Sequence, residues 1–451
     1  MTRSASRRST IRSGAERRRA ARRAVDVYLM PAVVGGGRGD VEEVLGVGRA
    51  LARTGYAPVV PRVGPRAVLP DRSFDWSGIR PTRRVVRRAP RAVTISSQFG
   101  VTAAQGRDEP LGRAGPWADA RAAVDRAYGP GQVLHLSLEE FARARPVAAL
   151  AEERWRESGR TERDRRARRR SREFRREVEA FAALYRKFRA FDRPDVLAVF
   201  PTFRRSARFA SQFPESVQVG PLWPEPRRRP RRTPGPVRVL WYASPSTSER
   251  LAPRLLAGLS ESGRPVRLVV RSPWPLPLRP SATVRVVVAR TRRREAWNRE
   301  WDRTDLAIVT GTRSLLEAIR WGVPFLYFNG VMGRGRSTRR HRPEKLLGLL
   351  DVLRASGVPA SVRRDLADVA RLRNVEEGVA RWVLRPRGIG ARLRAEIARG
   401  FPPPFEDAAR FVVAAVGRFG AGSERAGDLV AALRRESRAR RPSRGGAPSK
   451  A

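Results

Sequence analysis

The chain has 451 residues, more than one ordinary hydrophobic core organises and enough for two domains with tails. It has no cysteine and two histidines, which excludes a disulfide framework, a thiol nucleophile, a cysteine metal site and most histidine-based metal chemistry. Its 94 basic residues against 44 acidic ones give a formal charge of +50, and all but Lys187, Lys345 and Lys450 of the basic residues are arginine, so the chain favours anionic partners: phosphate-bearing ligands, phospholipid headgroups or nucleic acid.

Residues 1–23 carry nine arginines and almost nothing to bury, and are expected to be a disordered tail, with attachment to an anionic membrane or to nucleic acid as the functional alternative. Val25 to Val34 reads as a buried strand. It is too short and too directly followed by glycines to be a signal peptide, and no window of eighteen apolar residues predicts a membrane span. Gly35-Gly36-Gly37-Arg38-Gly39-Asp40 forms a turn before a helix from Val41 to about Thr54. Gly55 stops that helix, and Ala57-Pro58-Val59-Val60 begins a second strand. A glycine turn between a strand and a helix marks a ligand crevice in a parallel sheet. Asp40 is the candidate general base; alternatively it caps the helix that follows.

Residues 61–135 read as irregular and Arg-rich, apart from a strand at Arg91 to Ser97, a helix at Pro116 to Tyr128 and a strand at Gln132 to Leu136. Ser96 to Thr102 are placed to line a cleft. His135, in an apolar strand, is expected to be a satisfied core histidine rather than a catalyst. A long helical pattern runs from Leu138 to about Phe191, basic on one face and apolar on the other (Phe174, Val178, Phe181, Leu184, Tyr185, Phe188). It is expected to face a core, with an anionic bilayer as the alternative. Pro194 to Phe200 reads as a strand with a small helix after it, Arg204 to Phe213; Val217-Gln218-Val219-Gly220-Pro221 leads out, and the Pro/Arg run 222–236 reads as a linker.

Strands are expected at Val237 to Ala243, Val266 to Val270 and Thr283 to Val288, and helices after Ser248 and at Arg294 to Trp301. Ser244, at the end of the first of these strands, either contacts a phosphate or caps the next helix. Residues 305–324, DLAIVTGTRSLLEAIRWGVP, are the centre of the chain: a buried strand Leu306 to Val309, a polar turn Thr310-Gly311-Thr312, a helix from about Arg313, a stop at Gly322 and a strand from Phe325. A helix entered through such a turn aims unpaired N–H groups and a partial positive charge at whatever sits above the strand ends, which suits a phosphate or diphosphate. Thr310, Thr312 and Ser314 add hydroxyls and Arg313 a guanidinium. Glu317, one turn further in, is placed to accept from ribose hydroxyls. The plainer alternative makes Thr312 or Ser314 a cap and Glu317 a solvated helix residue.

The spacing of Gly311, Glu317, Gly322 and Val323-Pro324 resembles the nucleotide-sugar stretch of glycosyltransferases with two Rossmann domains, the GT-B type. It is most similar to the transferase that adds N-acetylglucosamine to the lipid-linked peptidoglycan precursor, and to lipid A disaccharide synthases, whose glycine-to-glutamate spacing is one residue shorter. The Gly-Gly-Gly-Arg-Gly-Asp-Val loop is similar to the acceptor loop of the former, with Arg38 in place of a glycine and Asp40 in place of a histidine.

The resemblance implies an α/β fold of two Rossmann-like domains facing across a cleft, with basic disordered tails. The expected divisions are a tail to 23, an acceptor domain 24–221, the linker, a nucleotide-sugar domain 237–400, closing helices 401–435 and a tail from 436. It implies donor binding by Thr310, Gly311, Thr312, Arg313, Ser314, Glu317 and Ser244, acceptor binding by Gly36, Gly37, Arg38 and Gly39, and base catalysis by Asp40. The expected partners are a nucleotide diphosphate sugar, UDP-sugars favoured, and a lipid or carbohydrate acceptor, with no cofactor and no metal. The expected place is the cytoplasm, with peripheral contact at the inner face of an anionic membrane. Arg334, Arg336 and Arg340 lie on a cationic loop expected over the nucleotide. Two other readings stand beside this one. Arg342-Pro343-Glu344 echoes nucleotide-sugar 2-epimerases. A basic adaptor for membrane or nucleic acid is the non-enzymatic reading, less favoured because aromatic residues are not interleaved with the arginines.

Overall fold

The computed structural model describes residues 24–31, 39–64, 74–97, 117–138, 193–201, 216–220, 222, 235–242, 245–271, 278, 280–289, 294–309, 312–327, 359–361, 363–364 and 407–439. The two tails, the helical pattern 138–191 apart from Leu138, the small helix expected at Arg204 to Phe213, most of the linker and the cationic loop after Phe328, including Arg342-Pro343-Glu344, lie outside these residues.

The first sheet consists of β1 (Val25–Met30), β2 (Val59–Pro61), β3 (Arg80–Thr82), β4 (Arg91–Ser97), β5 (Val133–Leu138), β6 (Val196–Pro201) and β7 (Ser216–Val219). Their order is β3-β2-β1-β4-β5-β6-β7, and every pair is parallel. Parallel strands are covered on both faces, which is why β1, β4, β5 and β6 read as nearly unbroken apolar runs. Alternating side chains serve the two faces. Leu29 packs under helix α1 (Gly39–Arg53), close beneath Gly48. Tyr28 points the other way, to the end of α2 (Ala118–Tyr128), where its hydroxyl donates to Val86 O and lies 3.1 Å from that of Tyr128.

The second sheet consists of β8 (Val237–Tyr242), β9 (Val266–Arg271), β10 (Val284–Ala289), β11 (Leu306–Val309) and β12 (Phe325–Tyr327), ordered β10-β9-β8-β11-β12 and again wholly parallel. Helices α3 (Pro245–Glu261), α4 (Arg294–Arg303) and α5 (Thr312–Arg320) belong to this half. Its core is rich in large aromatics, with Trp241, Trp297, Trp301, Trp321 and Tyr327 all buried. In each sheet the order reverses beside the first strand, between β1 and β4 and between β8 and β11. Open α/β sheets take their ligands at such points, beyond the carboxyl ends of the strands. The expected α/β fold of two Rossmann-like halves is therefore what the chain adopts.

The last helices, α6 (Ala408–Ala421) and α7 (Ala426–Ala439), return to the first sheet. Phe411, Val412, Val416, Phe419, Leu429 and Val430 join its core. Fully burying one such side chain stabilises by about 1.5–3 kcal/mol, so this apolar seam outweighs the exposed Arg418–Glu436 pair, which falls in a class worth about 0–1 kcal/mol. Polar contacts fix the seam's register. Ala408 N donates to Gly220 O at 3.0 Å, Ala426 N to Gly131 O at 3.0 Å, and Arg91 Nη1 to Phe419 O at 2.6 Å.

Three expectations need correction. The helix expected after Ser248 begins at Pro245. The stretch 61–135 holds a strand that the pattern missed: β3, Arg-Pro-Thr, an edge strand whose composition carries no apolar signal. The final helix runs to Ala439, four residues into the stretch expected to be disordered, and Glu436 there accepts from Arg418 Nη1 at 2.6 Å.

Candidate functional site

Helix α5 rises from the carboxyl end of β11, which lies between β8 and β12. Ile308 pairs with Trp241 on one side and Leu326 on the other, so the start of α5 stands over the point where the strand order reverses. Leu315, Leu316, Ala318 and Ile319 bury its inner face. Its end is a Schellman motif: Gly322 takes a positive φ of 56°, its N–H reaches Ile319 O at 3.0 Å, and Val323 N–H reaches Ala318 O at 2.9 Å. Helix α1 ends the same way at Gly55, with Tyr56 N–H on Leu51 O at 3.1 Å. The glycine stops expected at 55 and 322 are both where the helices end.

Among the described donor candidates, Arg313 and Glu317 meet on one face of α5. Glu317 is 5% exposed, which removes the solvated alternative. Its Oε1 lies 3.3 Å from Arg313 Nη2 and 3.9 Å from Arg320 Nη1, and its Oε2 accepts from Trp321 Nε1 at 3.2 Å. Ser314 is buried beside them. Arg313 also reaches out of its own half: its Nη2 lies 3.7 Å from Glu42 Oε2, on α1 of the first sheet. Glu42 in turn lies 3.7 Å from Arg49 Nη2, and Arg49 Nη1 donates to Asp75 O at 2.7 Å. One line of alternating charge thus runs from the first half through Glu42 and Arg313 to Glu317. Two unit charges about 4 Å apart attract by about 4 kcal/mol at an effective dielectric near 20, an attraction that desolvating the buried pair offsets in large part.

Helix α1 begins at Gly39, so Gly39 and Asp40 lie in its first turn rather than ahead of it, and Thr312 is the first residue of α5; these three are described as helical backbone. Gly36, Gly37, Arg38, Ser244, Thr310 and Gly311 lie outside the described residues. Ser96 and Ser97 end β4 and are buried; the rest of the stretch expected to line a cleft lies outside the described residues. Glu42, Arg320 and Trp321 were not among the expected site residues, and no spacing in the sequence links positions 42 and 313.

His135 is fully buried, as expected of a core histidine. Thr94 Oγ1 lies 2.7 Å from its Nδ1 and Asp125 Oδ1 3.0 Å from its Nε2. It stands in the first half of β5, away from the carboxyl edge where the candidate site lies.

No helix among the described residues is long and apolar enough to cross a membrane. No protein-family model matches the chain, and no curated protein matches it. Among solved structures it is similar to the calicheamicin glycosyltransferase CalG4, with 16% identity and a TM-score of 0.36 over 83% of this chain and 98% of that one. It is similar to Phytolacca americana UGT2 complexed with UDP-2fluoro-glucose and pterostilbene, with 13% identity and a TM-score of 0.41 over 92% of this chain and all of that one. The spinosyn forosaminyltransferase SpnP aligns with 15% identity and a TM-score of 0.40 over 87% and 99% of the two chains.

Proposed function

We propose that this chain is a glycosyltransferase that moves a sugar from a nucleotide diphosphate sugar to an acceptor hydroxyl, UDP-sugars being the favoured donors. The observation that carries the reading is the position of α5. Its start stands at the reversal point of the second sheet, and its Arg313 reaches Glu42 on α1 of the first while holding the buried Glu317. Helix-start amides and Arg313 would hold the diphosphate, with the hydroxyls of Thr310, Thr312 and Ser314 around it. Glu317, kept in one orientation by Trp321 and Arg320, would take the ribose hydroxyls. Gly36, Gly37, Arg38 and Gly39 would face the acceptor, and Ser244 the donor phosphates.

In the reaction a base, for which Asp40 is the candidate, takes the acceptor hydroxyl's proton. The acceptor oxygen forms its bond to the anomeric carbon as the bond from that carbon to the diphosphate oxygen breaks. Negative charge then grows on the departing nucleoside diphosphate, where preorganised amides and Arg313 stabilise it without a metal. The strong positive charge of the chain suits an acceptor presented at an anionic membrane, a lipid-linked one among them, and peripheral contact with such a surface.

Calorimetric titration with UDP and UDP-sugars tests the donor half. Arg313→Ala and Glu317→Ala each lower UDP affinity by about tenfold or more, since a hydrogen bond to a charged group contributes about 1.5–3 kcal/mol. No binding at millimolar UDP, together with Glu317→Ala behaving as wild type, would remove the reading. Turnover with lipid against water-soluble acceptors then decides the acceptor class.

A further inference from the structure

Arg313, the guanidinium assigned above to the donor phosphates, already has an anion. Glu42 Oε2 lies 3.7 Å from its Nη2, and Glu317 Oε1 lies 3.3 Å from the same nitrogen. Both carboxylates are buried, so water screens them little. A diphosphate that takes Arg313 Nη2 meets the charge of Glu42 there and must displace it from that nitrogen.

The surroundings make displacement feasible. A buried carboxylate stripped of its partner is strongly destabilised. Glu42, however, has a second cation within reach, Arg49 Nη2 at 3.7 Å, on the same helix and itself anchored by the carbonyl of Asp75 at 2.7 Å. Arg313 likewise keeps Glu317. The exchange therefore runs between two states in which every charge is met: Glu42 on Arg313 without nucleotide, and phosphate on Arg313 with Glu42 withdrawn to Arg49.

Resting on the donor reading above, we infer that Glu42 is a positioning residue that occupies the phosphate arginine in the empty chain and sets how tightly a diphosphate binds there. It acts through Arg313 and touches neither the base nor the ribose. Its influence therefore falls on ligands that carry phosphate and not on a nucleoside without one.

The test is calorimetric titration of UDP and uridine into the full chain and into Glu42→Gln, which keeps the shape and removes the charge. The expected result is UDP binding about tenfold tighter in the variant, with uridine unchanged within about twofold, in the usual range of coupling between sites. A Glu42 that merely supports the fold would shift both ligands together, and that outcome overturns the inference, as does equal UDP affinity in the two proteins. Either leaves the donor reading standing. UDP bound by neither protein at millimolar concentration overturns both. Should Glu42→Gln fail to fold, Glu42→Asp carries the test, since it retains the charge but shortens the reach by one methylene. Tighter UDP binding with uridine unchanged then supports the inference, and wild-type affinity overturns it.

Discussion

Asp125 shows what partners do to a half-buried carboxylate at the edge of the first core. Burial works against the charge of Asp125, but the hydrogen bond and charge of His135 and the guanidinium of Arg193 outweigh it and hold the carboxyl below its ordinary value of 3.8. A carboxyl lowered in the folded state contributes stability that is complete above its unfolded value and is lost as pH falls through the lowered one. Asp125→Asn is therefore destabilised at pH 7 and approaches the wild type below pH 3.8. With the side chain 37% exposed, solvent discounts the charged hydrogen bond to about 1 kcal/mol. Urea unfolding of both proteins at pH 7 and pH 3 measures the difference; a gap that stays constant contradicts the assignment. Glu317 makes a different point at the same scale. Its spacing from Gly311 marked it in the sequence, and Trp321 follows at the four-residue step of helical neighbours, but its burial did not show there, because burial depends on what packs over the helix.

Helix α1 owes its closeness to the first sheet to a missing side chain. A Cβ at Gly48 would stand 2.3 Å from Leu29 Cδ1 and 3.0 Å from Ile79 Cδ1, and both neighbours are held in the core. Gly48→Val, whose added bulk outweighs its small gain in helix propensity over glycine, is expected to cost about 1–3 kcal/mol, read as a lower urea midpoint at an unchanged slope. Because α1 carries Glu42, the same change should also loosen the contact with α5. Most elements were legible along the chain because their periods are strong. The strands of parallel sheets are apolar runs, α5 alternates every three or four residues, and Gly55 and Gly322 stop their helices in the expected places. β3 was not legible, since Arg80-Pro81-Thr82 owes its place to pairing with Val59 to Pro61 rather than to its own composition. The meeting of α1 with α5 was not legible either. It joins positions more than two hundred and fifty residues apart, and only the packing of two separately formed sheets brings them together.

At the scale of the whole molecule, the first sheet is finished by the end of the chain. Phe411, Val412, Val416 and Phe419 on α6 and Leu429 and Val430 on α7 lie in one core with β1, β4 and β5. A chain ending at residue 406 is expected to lose that half's cooperative unfolding and to aggregate, since six buried apolar side chains at about 1.5–3 kcal/mol each are together comparable to the whole net stability of a domain, about 5–15 kcal/mol. Circular dichroism and sedimentation of the shortened chain check this. Within the full chain, Phe419→Ala is expected to cost about 3–5 kcal/mol.

A chain closed in this way has an order of birth. Nearly two hundred residues separate β7 from α6, so at about 5–20 residues per second the ribosome takes roughly ten to forty seconds to deliver the pieces that seal the opening sheet. Throughout that interval the nascent half is unsealed while the second sheet, contiguous in sequence, emerges and can mature first. Chaperone dependence during synthesis should accordingly track the interval rather than the total length, and a permuted gene that places residues 407–439 ahead of residue 24 should shorten it.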